Sequence, residues 1–287
     1  MFESVGRSFQ LIKESYSVIG KDKEILLFPA ISSIALVLVL VTFLVPFFAA
    51  GLFKSDILFF AVLFAFYFVA NSVMYFFNAA LVTCANIRLN GGDPTFMDGI
   101  NNAFKHIGSI LLWALISATV GVILQAISSS LRRSRNPIVS IVGRLFVSLL
   151  GAAWEILTFF VVPVIVLEEG SVFDAIKRSG ETMKRTWGEN AVGQISMGII
   201  FLLIKLLAIP IVVLGFLMGG PALIGALAIA VLYWAIVSVF EGALNGVFTT
   251  ALYLYAKNGK VGGYSPELIQ GAFAGAPAQA PQQPPAQ

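Results

Sequence analysis

Four ionisable side chains stand inside stretches that are otherwise apolar: Arg144, Glu155, Lys205 and Glu241. In hydrocarbon each costs roughly 2.5 to 3.5 kcal/mol at the centre of a span on insertion scales, so such a group needs a partner, water or an interface. Counted from the ends of their apolar runs at Leu167, Ala191 and Ala256, Glu155, Lys205 and Glu241 lie roughly 18, 21 and 22 Å deep at ~1.5 Å per residue. Asn245 follows Glu241 by one helical turn and belongs with the same candidate polar cluster. Two kinds of chemistry suit this group. One is an ion pair or triad that glues spans four, five and six, helped by Gly242 and Gly246, whose four-residue spacing permits close helix contact. The other is a polar path for protons, ions or a small solute. Arg144, about six residues from the end of its run, is expected to snorkel to the interface.

Enzyme chemistry finds no footing in the chain. There is no zinc-binding His-Glu-x-x-His, no Gly-x-Ser-x-Gly, no paired intramembrane Asp motif and no phosphate-cradling glycine loop. One histidine, His106, and one cysteine, Cys84, cannot assemble a His or Cys metal cluster. Cys84 reads as a small buried hydrophobe. The expectation is a protein that is not an enzyme and carries no cofactor.

The elements that must position the cluster follow from composition. With 58% hydrophobic residues, 11% charged and a mean hydropathy of +0.91, the chain is built for lipid rather than water. Six apolar runs, about Leu27 to Phe53, Ile57 to Ala85, Ile107 to Ile127, Ile138 to Leu167, Ala191 to Met218 and Ala222 to Ala256, are each long enough to cross a ~30 Å hydrocarbon core. The fold class expected is all-α integral membrane, with six transmembrane helices arranged as three hairpins.

Each hairpin is preceded by a short stretch of a different kind. From Ser171 to Trp187, Phe173, Ile176, Gly180, Met183 and Trp187 recur at helical spacing, with Asp174, Lys177, Arg178, Glu181, Lys184 and Arg185 on the other side. The same stepping occurs at Phe2, Val5, Phe9, Ile12 and Tyr16, and at Met97, Ile100, Phe104, Ile107 and Leu111. These predict three amphipathic helices lying flat on the membrane surface. Thr95 with Asp98, and Ser171 with Asp174, have the spacing of capping boxes for the second and third. Aligning Phe2, Met97 and Phe173 also aligns Ser4, Gly99 and Ala175, and Ser8, Ala103 and Ser179. Three units follow, about 1–94, 95–170 and 171–273, together one six-span domain. Ser265-Pro266-Glu267 opens a short final helix to about Phe273, and the Ala, Gly, Pro and Gln of 274–287 are expected to be a disordered tail.

Basic residues orient the whole. Twelve Lys or Arg fall at the two ends and in the loops after spans two and four, against four, Lys54, Arg132, Arg133 and Arg135, in the opposite loops. Both termini are therefore expected in the cytoplasm, with the surface helices on the inner leaflet of the cell membrane. There Lys177, Arg178, Lys184 and Arg185, with Arg7 and Lys13 of the first helix, would meet anionic lipid or a protein partner, possible partners being lipids, another protein or a second copy, and not nucleic acid.

Arg7 to Pro29, with Lys21-Asp22-Lys23-Glu24 leading into Phe28-Pro29, and Ala251-Leu252-Tyr253-Leu254-Tyr255-Ala256 before Gly259, resemble an uncharacterised family of six-span prokaryotic membrane proteins. More loosely, Pro163-Val164 through Ser179 is similar to the membrane domains found beside glycerophosphodiester phosphodiesterases. The first resemblance implies the six-span architecture and brings no activity. The residues then point to a non-catalytic lipid-interacting or scaffold component of the membrane, with a transporter or channel using the intramembrane cluster as the alternative.

Overall fold

Two prolines decide where the long apolar runs break. In the computed structural model, which describes residues 13–49, 56–132, 136–187, 192–259 and 261–264, the chain is helical through α1 (13–21), α2 (Leu27–Ala49), α3 (Asp56–Leu89), α4 (Phe96–Lys105), α5 (Ile107–Arg132), α6 (Pro137–Leu157), α7 (Val161–Leu167), α8 (Val172–Trp187), α9 (Val192–Leu206), α10 (Ile209–Met218) and α11 (Gly220–Asn258). The expected fourth span is α6 and α7, separated by a turn at 158–160, and the fifth is α9 and α10. Pro163 and Pro210 each fall in the first turn of the second piece, where a missing N–H leaves nothing unpaired. The ring would clash with the carbonyl four residues back in a continuous helix, so the helix ends and restarts. Pro46 stays inside α2 without a break.

Six stretches, Lys23–Pro46, Ile57–Leu89, Ile107–Arg132, Ile138–Leu167, Ile200–Met218 and Gly220–Asn258, are long and apolar enough to cross a membrane. That is the make-up of a multi-pass membrane protein. Their outward faces carry large bare hydrophobes such as Ile34, Leu38, Ile141, Leu145, Phe216 and Leu217. A surface of this kind would not remain dispersed in water, and lipid is its natural solvent.

Helix α3 is the post around which the others stand: it packs against α2, α4, α5, α7 and α11. The buried core gathers at one end of the bundle, called here the proximal end. There α7, buried from Val161 to Val166, is wedged between α3, α5, α8 and α11. Gly262 packs on the Leu89 carbonyl at the foot of α3, and Tyr264 meets the Ser15 hydroxyl of α1 at 2.6 Å. The C-terminal ends of α3 and α11 thus lie together. Gly259 closes α11 at φ 71°, its N–H bonded to the Tyr255 carbonyl.

Helices α4 and α8 pack through their smallest residues together with part of the apolar stripe, Met183 being buried and Ile100 and Ile176 lying against the core. Gly99 and Ala103 of α4 are buried, and a Cβ at Gly99 would fall 2.7 Å from the Ala80 carbonyl oxygen and 2.9 Å from Cys84 Sγ. In α8 the buried residues are Val172, Ala175, Ser179 and Met183. Met97, Phe104 and Phe173 are instead exposed, at 56%, 59% and 67%. The reason is steric: a short helix crossing the foot of another needs glycine, alanine or serine at the crossing. Met97 and Phe173 are left to face outward, while Phe104 meets the Phe76 ring edge-on at 4.9 Å. The first member of the set, Phe2 to Ile12, lies outside the described residues, as do the expected final helix and tail.

Candidate functional site

Lys205 and Glu241 meet. Their Nζ to Oε2 distance is 2.5 Å, with 31% and 22% of the side chains exposed. The pair sits at the break between α9 and α10, where Pro210 cannot continue the hydrogen-bond ladder. Two carbonyls of the last turn of α9, which accept from the Leu207 and Ala208 N–H groups at 3.1 and 3.2 Å, each take a second hydrogen bond from α11: Tyr233 Oη donates to Ile204 O at 2.6 Å and Trp234 Nε1 to Lys205 O at 2.9 Å. Three side chains of α11, Tyr233, Trp234 and Glu241, therefore fasten the end of α9, which is how a proline break is tolerated in lipid. Tyr233 and Trp234 escape a reading that looks only at charges, although Pro210 signals that some donors must serve this point.

Glu155 and Asn245 do not join that pair. Glu155 is exposed on α6 and has no ion-pair partner among the described residues. It lies two residues from Leu157, whose carbonyl accepts from Ser179 Oγ of α8 at 2.7 Å. Glu155 thus stands close to where α6 meets the middle of α8. Asn245 faces a cleft between α2, α3 and α11. Gly242 and Gly246 bring α11 onto Pro29 of α2 and Leu81 of α3, rather than onto α6 or α9. Arg144 is exposed and donates through Nε to the Ser140 carbonyl at 3.0 Å.

The densest polar cluster lies at the proximal end, around Glu168, at the junction of α7 and α8. Its carboxylate accepts from Arg178 Nη1 at 2.5 Å, Lys257 Nζ at 2.9 Å and the Tyr253 hydroxyl. Burial alone would raise the Glu168 pKa, but the three hydrogen bonds, with the charge of Lys257, bring it down to about 2. Beside it opens a cavity of about 680 Å³ lined by Glu168, Arg178, Glu181, Lys184, Tyr253 and Lys257. Arg178 and Lys257 are about half exposed, and Lys184 has no ion pair among the described residues. Lys177 stands 4.0 Å from Glu181, on the exposed side of α8. Arg185 belongs to α8 with its side chain undescribed, Lys13 is exposed on α1, and Arg7 lies outside the described residues.

Reciprocal caps set the starts of α4 and α8. Asp98 Oδ2 accepts from Thr95 N at 2.8 Å, and Asp174 Oδ2 from Ser171 N at 3.2 Å, while each cap hydroxyl accepts from the Asp N–H. Hydrogen bonds from Thr95 and Ser171 lower both carboxyl pKa values. Glu24, ahead of α2, also accepts from the Phe96 N–H, and the Phe28 and Phe96 rings stack at 4.9 Å. Asp22 is buried, 3.5 Å from Arg88, which also pairs with exposed Asp93. Burial raises the Asp22 pKa more than Arg88 lowers it. Asn102 of α4 ties α3 to α7, donating to Thr83 Oγ1 at 2.8 Å and to the Val166 carbonyl at 3.3 Å.

What these elements define is a six-span helical protein whose polar side chains gather at one end of the bundle and at one helix break. Residues 57–263 match the model described as a family of unknown function (DUF6159), and the chain belongs to that family. No curated protein matches the chain. The family match carries neither a phosphodiesterase nor an assigned reaction.

Proposed function

We propose that the protein is a non-catalytic, lipid-interacting component of the cytoplasmic membrane, and that its proximal end holds anionic phospholipid headgroups of the inner leaflet. The observation that carries this reading is the outward side of α8, where exposed Phe173 stands one turn from exposed Lys177 and the Glu168 cavity presents Arg178, Lys184 and Lys257. A phenyl ring for the acyl boundary beside cations for phosphate is the surface an interfacial helix needs. Exposed Met97, Phe104 and Lys105 repeat the arrangement on α4. In this reading α1, α4 and α8 are surface helices of three hairpin units, and Glu168 holds Arg178 and Lys257 in place while leaving them half open to a ligand. A transporter or channel is the weaker reading, because Lys205 and Glu241 neutralise each other at a break that α11 clamps.

Native mass spectrometry of the full chain released from nanodiscs tests the proposal. Phosphatidylglycerol should be retained in preference to phosphatidylcholine, and Arg178→Gln with Lys184→Gln and Lys257→Gln should abolish the preference without loss of the folded protein. Equal retention of both lipids by the unaltered protein would contradict it. The orientation is checked with single cysteines in a Cys84→Ser background: an impermeant thiol reagent outside should label Ser129→Cys and spare Ser171→Cys.

A further inference from the structure

A second cleft, independent of the proximal cations, lies within the spans where α2, α3 and α11 meet. Its volume is about 400 Å³, within the range of small-molecule sites. Ser32, Asn78, Ser238, Asn245 and Thr249 line it together with the apolar Leu36, Met74, Phe77 and Leu81. Asn78 and Asn245 lie eleven and thirteen residues from the proximal ends of α3 and α11, roughly 17 and 20 Å along the helices, which is hydrocarbon depth. Most hydroxyls in these helices quiet themselves by bonding to the carbonyl four residues back, as Ser33, Ser72, Thr83 and Thr250 do. Neither amide lining the cleft does anything comparable. Among the described residues, Asn78 and Asn245 have no hydrogen-bond partner, and neither has Ser32, which is 93% buried by its relative exposure of 7%.

Primary amides left open in a membrane interior are costly unless something brings both donors and acceptors to them. The occupant must also be uncharged, since no ionised side chain lines the cleft and none would balance a phosphate at that depth. It must carry apolar bulk to cover Leu36, Met74 and Phe77. We propose that the cleft binds one neutral glycerolipid of the diacylglycerol type, whose free hydroxyl and ester carbonyls satisfy Asn78, Asn245 and Ser32 while an acyl chain lies along the apolar wall. Close contact of Gly242 with Pro29 and of Gly246 with Leu81 fixes the helices at the rim of the cleft, so the space is held open by packing rather than formed by the ligand.

Photolabelling of the full chain in phosphatidylcholine nanodiscs tests this, with a diacylglycerol carrying a diazirine in one acyl chain. Labelling should saturate, be chased by unlabelled diacylglycerol, and map to peptides containing Leu36 and Met74. Asn78→Leu with Asn245→Leu should cut it at least several-fold, and Ser238→Phe, which fills the cleft and spares both amides, should do the same. Added diacylglycerol should raise the melting temperature of the unaltered protein and leave that of either variant where it was. Labelling that rises linearly with probe, resists chase or survives both variants would overturn the proposal, as would cross-links to a second copy of the chain at these peptides. Loss of phosphatidylglycerol preference at the proximal end would leave this result untouched, because no cation is shared between the two sites.

Discussion

Ser179 holds the broken end of α6 from the middle of α8: its hydroxyl donates to the Leu157 carbonyl at 2.7 Å and accepts from the Phe160 N–H at 3.0 Å. A turn between two helices leaves such groups without partners, and in a buried place each must be served. One serine serves both. Ser179→Ala keeps the crossing small but strips both bonds, and should lower stability by about 1–3 kcal/mol. Thermal unfolding in detergent measures it; an unchanged midpoint would show that water replaces the hydroxyl.

Glu168 provides the pH dependence of the proximal end. Its folded pKa, about 2, is below its ordinary value of 4.5, so its contribution to stability is fully present above pH 4.5 and is lost as pH falls through about 2. Between pH 5 and 8 the cluster should not titrate. Glu168→Gln should lower the melting temperature at pH 7, by an amount corresponding to about 1–3 kcal/mol, and should flatten the fall that the unaltered protein shows below pH 4.5. Parallel acid limbs in both proteins would remove Glu168 from the account.

Lys205→Met and Glu241→Leu separate a clamp from a path. Breaking a buried pair strands one charge, at a cost of up to about 3–5 kcal/mol, whereas replacing both partners by apolar groups can be nearly neutral. Each single variant should therefore melt lower and the double variant should recover most of the loss. Additive losses would show that the two charges are not partners. Tyr233→Phe should destabilise in the same assay, since it removes the bond that ties α11 to the Ile204 carbonyl and leaves that carbonyl only the Leu207 N–H.

The six spans and the Lys205–Glu241 pair were legible in the sequence because length, hydropathy and the rarity of charge in lipid are local signals. Glu155 was grouped with that pair by its count along the span, yet it is exposed on α6 without an ion-pair partner among the described residues, because a count along each helix does not say which helices face one another. Small residues at Gly99, Ala103, Ala175 and Ser179 showed in the internal alignment, yet their meaning as the packing face required knowing that α4 and α8 cross the feet of other helices. Glu168 and Tyr253 are 85 residues apart, and nothing in either neighbourhood announces the other. Asn78, one of several polar residues in a phenylalanine-rich span, lines the same cleft as Asn245 only once α3 and α11 are packed.

The claim that the proximal end holds anionic lipid is tested most directly by the selectivity of the intact protein for its own lipid shell. Spin-labelled phosphatidylglycerol and phosphatidylcholine, compared in nanodiscs, report the ratio of their association at the protein surface. That ratio should exceed one several-fold at about 0.01 M salt and fall toward one near 1 M, where the screening length shrinks to about 3 Å. In the protein bearing Arg178→Gln, Lys184→Gln and Lys257→Gln it should be close to one throughout. A ratio of one in the unaltered protein at every salt concentration would contradict the account.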